Sequence, residues 1–178
     1  MPGSRVTEPG PLPAIRSRAF WMPPGAEVRY EGAKVPDSST AIGSGTMNRQ
    51  VIHSAEAPAA IGPYSQAIRV GNVVYLSGQI GLDPVTMQMV DGVEAQAHQV
   101  FKNLRAVAIA AGGTLDDMVK LTILMQNLGD FAKVNAIQEQ NFKVPYPARV
   151  TYQVAALPRG GRVEVEGTLV LSGAAAKS

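Results

Sequence analysis

Residues 162–171 alternate in a way that a strand buried on one side and open on the other requires. Val163, Val165, Gly167, Leu169 and Leu171 fall on one side, and Arg162, Glu164, Glu166, Thr168 and Val170 on the other. Such a strand needs an apolar cover for its first side, and the chain supplies a suitable helix. From Gly92 to Gly112, Val93, Ala97, Val100, Leu104, Val107, Ala108 and Ala111 recur at helical spacing, while Gln96, Gln99, Lys102, Asn103 and Arg105 mostly take the opposite side. Gly112-Gly113 supplies a stop. If helices cover one face of the sheet, the other must meet solvent or another subunit, so self-association is expected.

The remaining elements arrange themselves around these two. Short β-type runs are predicted at Val51 to His53, Gln66 to Val70 and Val73 to Ser77, with Gly71-Asn72 as a tight turn between the last two. A strand over Val119 to Met125 precedes a second helix opened by Asp130, with Phe131, Val134 and Ile137 on one face. Strands over Arg149 to Ala155 and Arg162 to Leu171 complete the order β-β-β-α-β-α-β-β. That order predicts an α+β fold, one sheet with two helices on a single face.

These elements all lie beyond Met47. Residues 1 to 46 hold seven of the thirteen prolines and six of the eighteen glycines, and no periodicity persists there. They are expected to be a disordered or non-native extension, with Met47 as a second start and residues 47 to 178 as one domain. Arg5, Arg16 and Arg18 raise a mitochondrial presequence as the alternative, but Glu8, Glu27, Glu31 and Asp37 oppose it, so a cytoplasmic location is expected. No run approaches the roughly 20 apolar residues of a membrane span, and no secretory leader is evident.

Composition narrows the chemistry. The 178 residues contain no cysteine, which removes disulfides, thiolate zinc sites and cysteine nucleophiles. His53 and His98 stand far apart and no acidic run is clustered, so no metal site is expected. There is also no G-x-S-x-G elbow. The whole chain carries a formal net charge of +2 and residues 47 to 178 carry +1, from eleven basic and ten acidic residues. Without a basic stripe or an aromatic platform, nucleic acid is not an expected partner.

Arg149 is the most informative polar residue. It opens a strand after Pro147-Ala148 and shares a face with Thr151 and Gln153; partly withdrawn from water, its guanidinium needs an anionic partner. From spacing alone, a salt bridge to one of the chain's own acids, such as Glu164, ranks ahead of an external carboxylate. Glu164 reads as an ordinary half-exposed strand residue. If its face becomes an intersubunit cleft, it becomes a candidate proton donor or acceptor. Tyr64 after Gly62-Pro63, Ser77 before Gly78, and Asn135 on the second helix each have a plain structural reading. Gly78-Gln79-Ile80-Gly81 lacks the spacing of a nucleotide loop.

Four separated motifs together carry a resemblance. Ala57-Pro58-Ala59-Ala60-Ile61-Gly62-Pro63-Tyr64-Ser65-Gln66-Ala67 is followed by Ser77-Gly78-Gln79-Ile80-Gly81 with Asp83-Pro84. Phe131 with Val134-Asn135 comes next, and then Pro147 to Pro158 with Val163-Glu164-Val165-Glu166. In this order, from about Met47 to Leu171, they resemble the RidA/YjgF family of reactive-intermediate deaminases, with wording closer to its animal branch. The resemblance implies a chorismate-mutase-like α+β protomer assembled as a homotrimer with intersubunit clefts. It also implies cofactor-independent hydrolysis of 2-imino acids, such as 2-iminobutanoate and 2-iminopropanoate, to 2-oxo acids and ammonia, which protects pyridoxal-phosphate enzymes.

By the same resemblance, Arg149 is the carboxylate-binding arginine and Glu164 the pocket glutamate. Tyr64, Ser77, Gly78, Asn135 and Thr151 then line or support the cleft. Thr151 stands where some members carry cysteine, so no thiol chemistry is implied here. Val165 replaces a commoner isoleucine or methionine, and Gly167, where alanine is frequent, is expected to loosen its strand. Two other classes compete: an endoribonuclease or translation inhibitor, and a non-enzymatic carboxylate-binding or chaperone-like trimer.

Overall fold

Val70 and Val73 face each other across Gly71-Asn72, so the dipeptide closes a two-residue hairpin between β2 (Ala67–Val70) and β3 (Val73–Ile80). The computed structural model describes residues 48–172. The expected character of residues 1 to 46 therefore lies outside the described residues. The other elements are β1 (Arg49–Ile52), α1 (Val93–Ala110), β4 (Met118–Met125), α2 (Phe131–Asn141), β5 (Ala148–Gln153) and β6 (Val163–Val170), in the expected order. Six strands form one sheet in the order β1-β2-β3-β6-β4-β5. Neighbours are antiparallel except β4 and β5, which run parallel with α2 as the crossover that a parallel pair needs. This is the α+β fold expected: one mixed sheet and two helices.

The alternation in β6 sorts the sheet into two faces. Val163, Val165 and Leu169 are fully buried alongside Leu121, Ile123 and Met125 of β4 and Val100, Phe101, Leu104 and Val107 of α1. Burying side chains of this size stabilises by roughly 1.5–3 kcal/mol each. Phe101 and Phe142 meet edge to face at 5.8 Å and bring the end of α2 onto the same core. Among the described residues, the opposite face has no helix over it: Tyr75 on β3 and Tyr152 on β5 are each 56% exposed. Among the described residues, no helix is long and apolar enough to cross a membrane.

Four local expectations are corrected. Gln96 and Asn103, read as outward-facing, are 3% and 0% exposed. The connection after β3 folds over α1 and brings backbone groups that need partners. Asn103 donates to the carbonyls of Ile80 and Leu82 at 3.2 and 2.9 Å. Gln96 donates to the Val90 carbonyl at 3.0 Å and accepts from the Arg162 amide at 2.7 Å. Asp130 does not cap α2 with its side chain; a single 3₁₀ turn over Leu128–Asp130 precedes the helix, and the Asp130 carboxylate pairs with Lys133 at 3.0 Å. Phe131 is 38% exposed, not part of the buried stripe with Val134 and Ile137. Gly167 does not loosen its strand. A Cβ there would lie 2.7 Å from the Lys120 carbonyl oxygen and overlap the Met118 methyl, beside the irregularity in β4 between Met118 and Lys120. Glycine is what allows the two strands to approach.

Candidate active site

The register decides which predicted site residues meet. Arg149 pairs with Leu121 and Thr151 with Ile123, both core residues, so these two β5 side chains lie on the helix-covered side. Glu164 pairs with Ile80 and Leu124 and sits between the fully buried Val163 and Val165, so it lies on the uncovered side. Arg149 and Glu164 of one chain are thus on opposite faces of the sheet. The salt bridge between them that spacing favours does not form.

Arg149 lies instead against α2. Its Nη1 donates to Asn135 Oδ1 and to Gln138 Oε1, each at 2.7 Å. Its guanidinium carbon lies 5.3 Å from the centroid of the Phe131 ring, within range of a cation–π contact. Phe131, Asn135 and Gln138 stand at i, i+4 and i+7, one stripe of α2 turned towards β5. The two salt bridges among the described residues are Lys133 with Asp130 and Lys143 with Asp116, so Arg149 has no carboxylate partner there. Arg149 is also exposed, contrary to the expected withdrawal from water, because β5 is the edge strand of the sheet among the described residues. A cavity of about 340 Å3 opens beside the guanidinium, bounded by Asn135, Gln138, Glu139, Tyr146 and Pro147. Two residues along β5, Thr151 Oγ1 is buried without a hydrogen-bond partner among the described residues. A buried hydroxyl left unpaired costs about 1–3 kcal/mol, which favours any ligand that supplies the missing bond.

The second group lies where β3 and β6 run side by side. Tyr64, Ser77, Gly78, Ile80, Glu164 and Glu166 line a cavity of about 450 Å3. Gly78 and the carboxyl group of Glu164 are in the closest contact: a Cβ on Gly78 would overlap Glu164 Oε1 and lie 2.9 Å from Cδ. Burial raises the Glu164 pKa above the ordinary carboxylate value, and the negative charge of Glu166 adds to the rise. A carboxyl shifted in this direction is better matched to proton transfer near neutral pH. Ser77 donates its hydroxyl to the Ser65 carbonyl at 2.6 Å, which leaves only its lone pairs for a ligand. Tyr64 sits in the tight turn expected of Gly-Pro-Tyr, with its amide on the Gly62 carbonyl at 2.8 Å.

The structure therefore brings Tyr64, Ser77, Gly78 and Glu164 together, and separately Arg149 and Asn135, with Thr151 on the same strand. The sequence reading missed Gln138 and the Phe131 contact, although the i, i+4, i+7 spacing on α2 was a usable signal. Among the described residues, no group of three or more His, Asp or Glu side chains is placed to hold a metal ion.

Comparison with known proteins agrees with this architecture. A protein from Myxococcus xanthus named DfrA is 52% identical over 127 residues, covering 70% of this chain and 97% of its own. The human 2-iminobutanoate/2-iminopropanoate deaminase is 49% identical over 123 residues, covering 68% of this chain and 90% of its own. Bacterial and mammalian relatives thus stand at comparable identity. The crystal structure of RidA from an Antarctic Psychrobacter superposes with a TM-score of 0.68 at 52% identity, over 68% of this chain and 99% of that one. That of E. coli TdcF with bound serine superposes with a TM-score of 0.67 at 36% identity, over 69% of this chain and 99% of that one. Residues 54–171 match the family described as endoribonuclease L-PSP, and the chain belongs to that family, the RidA/YjgF proteins.

Proposed function

We propose that this chain hydrolyses reactive 2-imino acids, 2-iminobutanoate and 2-iminopropanoate among them, to 2-oxo acids and ammonia, without a cofactor. The domain that carries this activity is residues 47 to 178, and the cytoplasm is its place of action. The carrying observation is the guanidinium of Arg149, held by two neutral amides and an aromatic ring with no carboxylate partner among the described residues. Such a fork, pre-oriented and unpaired, is suited to a small carboxylate. The human, bovine and mouse relatives named as deaminases, at 48 to 50% identity, support the reading.

Because Arg149 and Glu164 lie on opposite faces, the working site takes each from a different subunit. We infer a homotrimer whose uncovered sheet faces pack inward and whose clefts join the Arg149 side of one subunit to the Glu164 cavity of the next. In that cleft Arg149 anchors the substrate carboxylate and fixes the imine carbon beside a water, which removes orientational freedom from the step. Ionised Glu164 takes a proton from the water as its oxygen bonds to the carbon of the protonated imine and the C=N electron pair moves to nitrogen, giving a neutral carbinolamine. Glu164 then returns the proton to that nitrogen, the C–N bond breaks to release ammonia, and the hydroxyl proton passes to solvent as the C=O of the 2-oxo acid forms. Gly78 leaves room for the carboxyl group, and Tyr64, Ser77, Asn135 and Thr151 shape or support the cleft.

The test is ammonia release from an imine generated in situ by a pyridoxal-phosphate-dependent dehydratase. Arg149→Ala and Glu164→Gln chains should each fall more than about tenfold below wild type at substrate concentrations under KM, and reassembly of an equal mixture should restore about one quarter of wild-type activity, since one cleft in four then has both groups. Full activity in Arg149→Ala, or no restoration in the mixture, refutes this reading.

A further inference from the structure

The loop that walls the Glu164 cavity is organised by a side chain outside the cavity. Pro58, Ala59, Ile61 and Tyr64 form this wall, and residues 53–66 contain neither strand nor helix. Backbone groups in such a segment need partners from elsewhere. Gln66, only 2% exposed, provides them. Its Oε1 accepts from the Ser54 amide at 2.7 Å, while its Nε2 faces the carbonyls of Ser54, Ala57 and Pro58 at 3.1, 3.3 and 2.8 Å. Both ends of this amide are thus committed to the loop, with every donor and acceptor engaged. The far end of the loop is tied by Ser77, whose hydroxyl holds the Ser65 carbonyl at 2.6 Å and whose amide holds the Gln66 carbonyl at 3.0 Å. Between these ties, the hydrogen bonds found for residues 59–64 are internal: Tyr64 to the Gly62 carbonyl and Ile61 to the Tyr64 hydroxyl.

We infer that Gln66 is a positioning residue that sets the size of the substrate side chain this site accepts. The inference rests on the imine-hydrolase reading above. Pro58 and Ile61 are the apolar part of the wall, and the side chain of a 2-imino acid is the apolar part of the substrate. Gln66 does not line the cavity; it acts by holding the Ala57 and Pro58 carbonyls, from which the wall is suspended. A well-placed apolar wall discriminates one methylene by about 10–200-fold, whereas a wall free to move adapts to either substrate.

The experiment uses the full chain and a series of imines with side chains from methyl to isobutyl, generated in situ, with kcat and KM measured separately. The wild-type protein should show a defined preference within the series. Gln66→Leu removes every donor at similar volume and should reduce that preference by about tenfold, through KM, with kcat on the best substrate changed by less than about threefold. Gln66→Asn keeps the amide but shortens its reach, and carries the test if Gln66→Leu does not fold; it too should lose preference. Val107→Ala, a cavity in the core of α1, serves as the control for lost stability and should keep the wild-type preference. Unchanged preference in the Gln66 variants overturns the inference, as does equal loss of preference in Val107→Ala. A wild-type protein that releases no ammonia from any imine overturns the underlying hydrolase reading instead, and the assignment falls with it.

Discussion

Gly78→Ala isolates the contact between a backbone position and the carboxyl group assigned the proton transfer. Gly78 has no positive φ to lose, so the whole effect is steric. An added Cβ would stand 2.9 Å from Glu164 Cδ and 3.1 Å from Cγ, and would overlap Oε1. Carbon atoms rest at about 3.5–4.0 Å, so the carboxyl group must retreat by on the order of 1 Å. It can do so because Glu164 is only half-buried, so the cost to folding should stay near about 1 kcal/mol, the lower end for an overpacked site. Catalysis should suffer far more, since a displacement of about 1 Å in a positioned group costs on the order of 100-fold in rate, or about 2.7 kcal/mol of barrier. The pH profile should move as well. Burial is the main cause of the raised Glu164 pKa. A carboxyl pushed towards water regains its ordinary value, and the acid limb of kcat/KM shifts to lower pH. The assay is the coupled release of ammonia as a function of pH, with thermal unfolding alongside. The double variant Gly78→Ala with Glu164→Gln should be no worse than Glu164→Gln alone, because both act on one step. A kcat/KM within threefold of wild type and an unmoved acid limb would refute the reasoning.

Arg149→Ala should raise KM by about 10–150-fold, the equivalent of one lost charge-assisted bond of roughly 1.5–3 kcal/mol, and Arg149→Lys should recover little because it lacks the planar fork. Substrate titration of both variants decides this. Glu166→Gln should lower the acid limb, since Glu166 contributes to the raised Glu164 pKa and a neutral amide does not. A raised carboxyl pKa gives stability that is present below the ordinary Glu range and lost as pH rises through the raised value. Glu164→Gln should therefore gain thermal stability over wild type at pH 7 and none at pH 3.5. Asn103→Leu leaves the Ile80 and Leu82 carbonyls without their donor. It should cost about 1–3 kcal/mol in denaturant unfolding.

Much of the fold was legible because its signals are local. The period of α1, the alternation of β6 and the Gly71-Asn72 turn each depend on residues within a few positions of one another, and each forms as read. Polar side chains were less legible. Gln66, Gln96 and Asn103 look like surface residues in any periodic pattern, yet each is buried as a donor to carbonyls of a neighbouring loop outside its own strand or helix. The chain has to satisfy those carbonyls wherever a loop is drawn into the body, and no local pattern announces where that will be. Phe131 is a milder case. Its spacing from Asn135 and Gln138 was visible, but the strand lying beneath that stripe was not.

The sequence by itself determined which residues form helices, strands and turns, and through four motifs it marked the family and the residues to inspect. It could place Arg149 and Glu164 on faces of their own strands. Whether those faces are the same face depends on register, and the pairing of Arg149 with Leu121 and of Glu164 with Leu124 sets the two groups on opposite sides. Alternation is a property of one strand, whereas register is a hydrogen-bond pattern between strands distant in sequence, so the tertiary structure decided this.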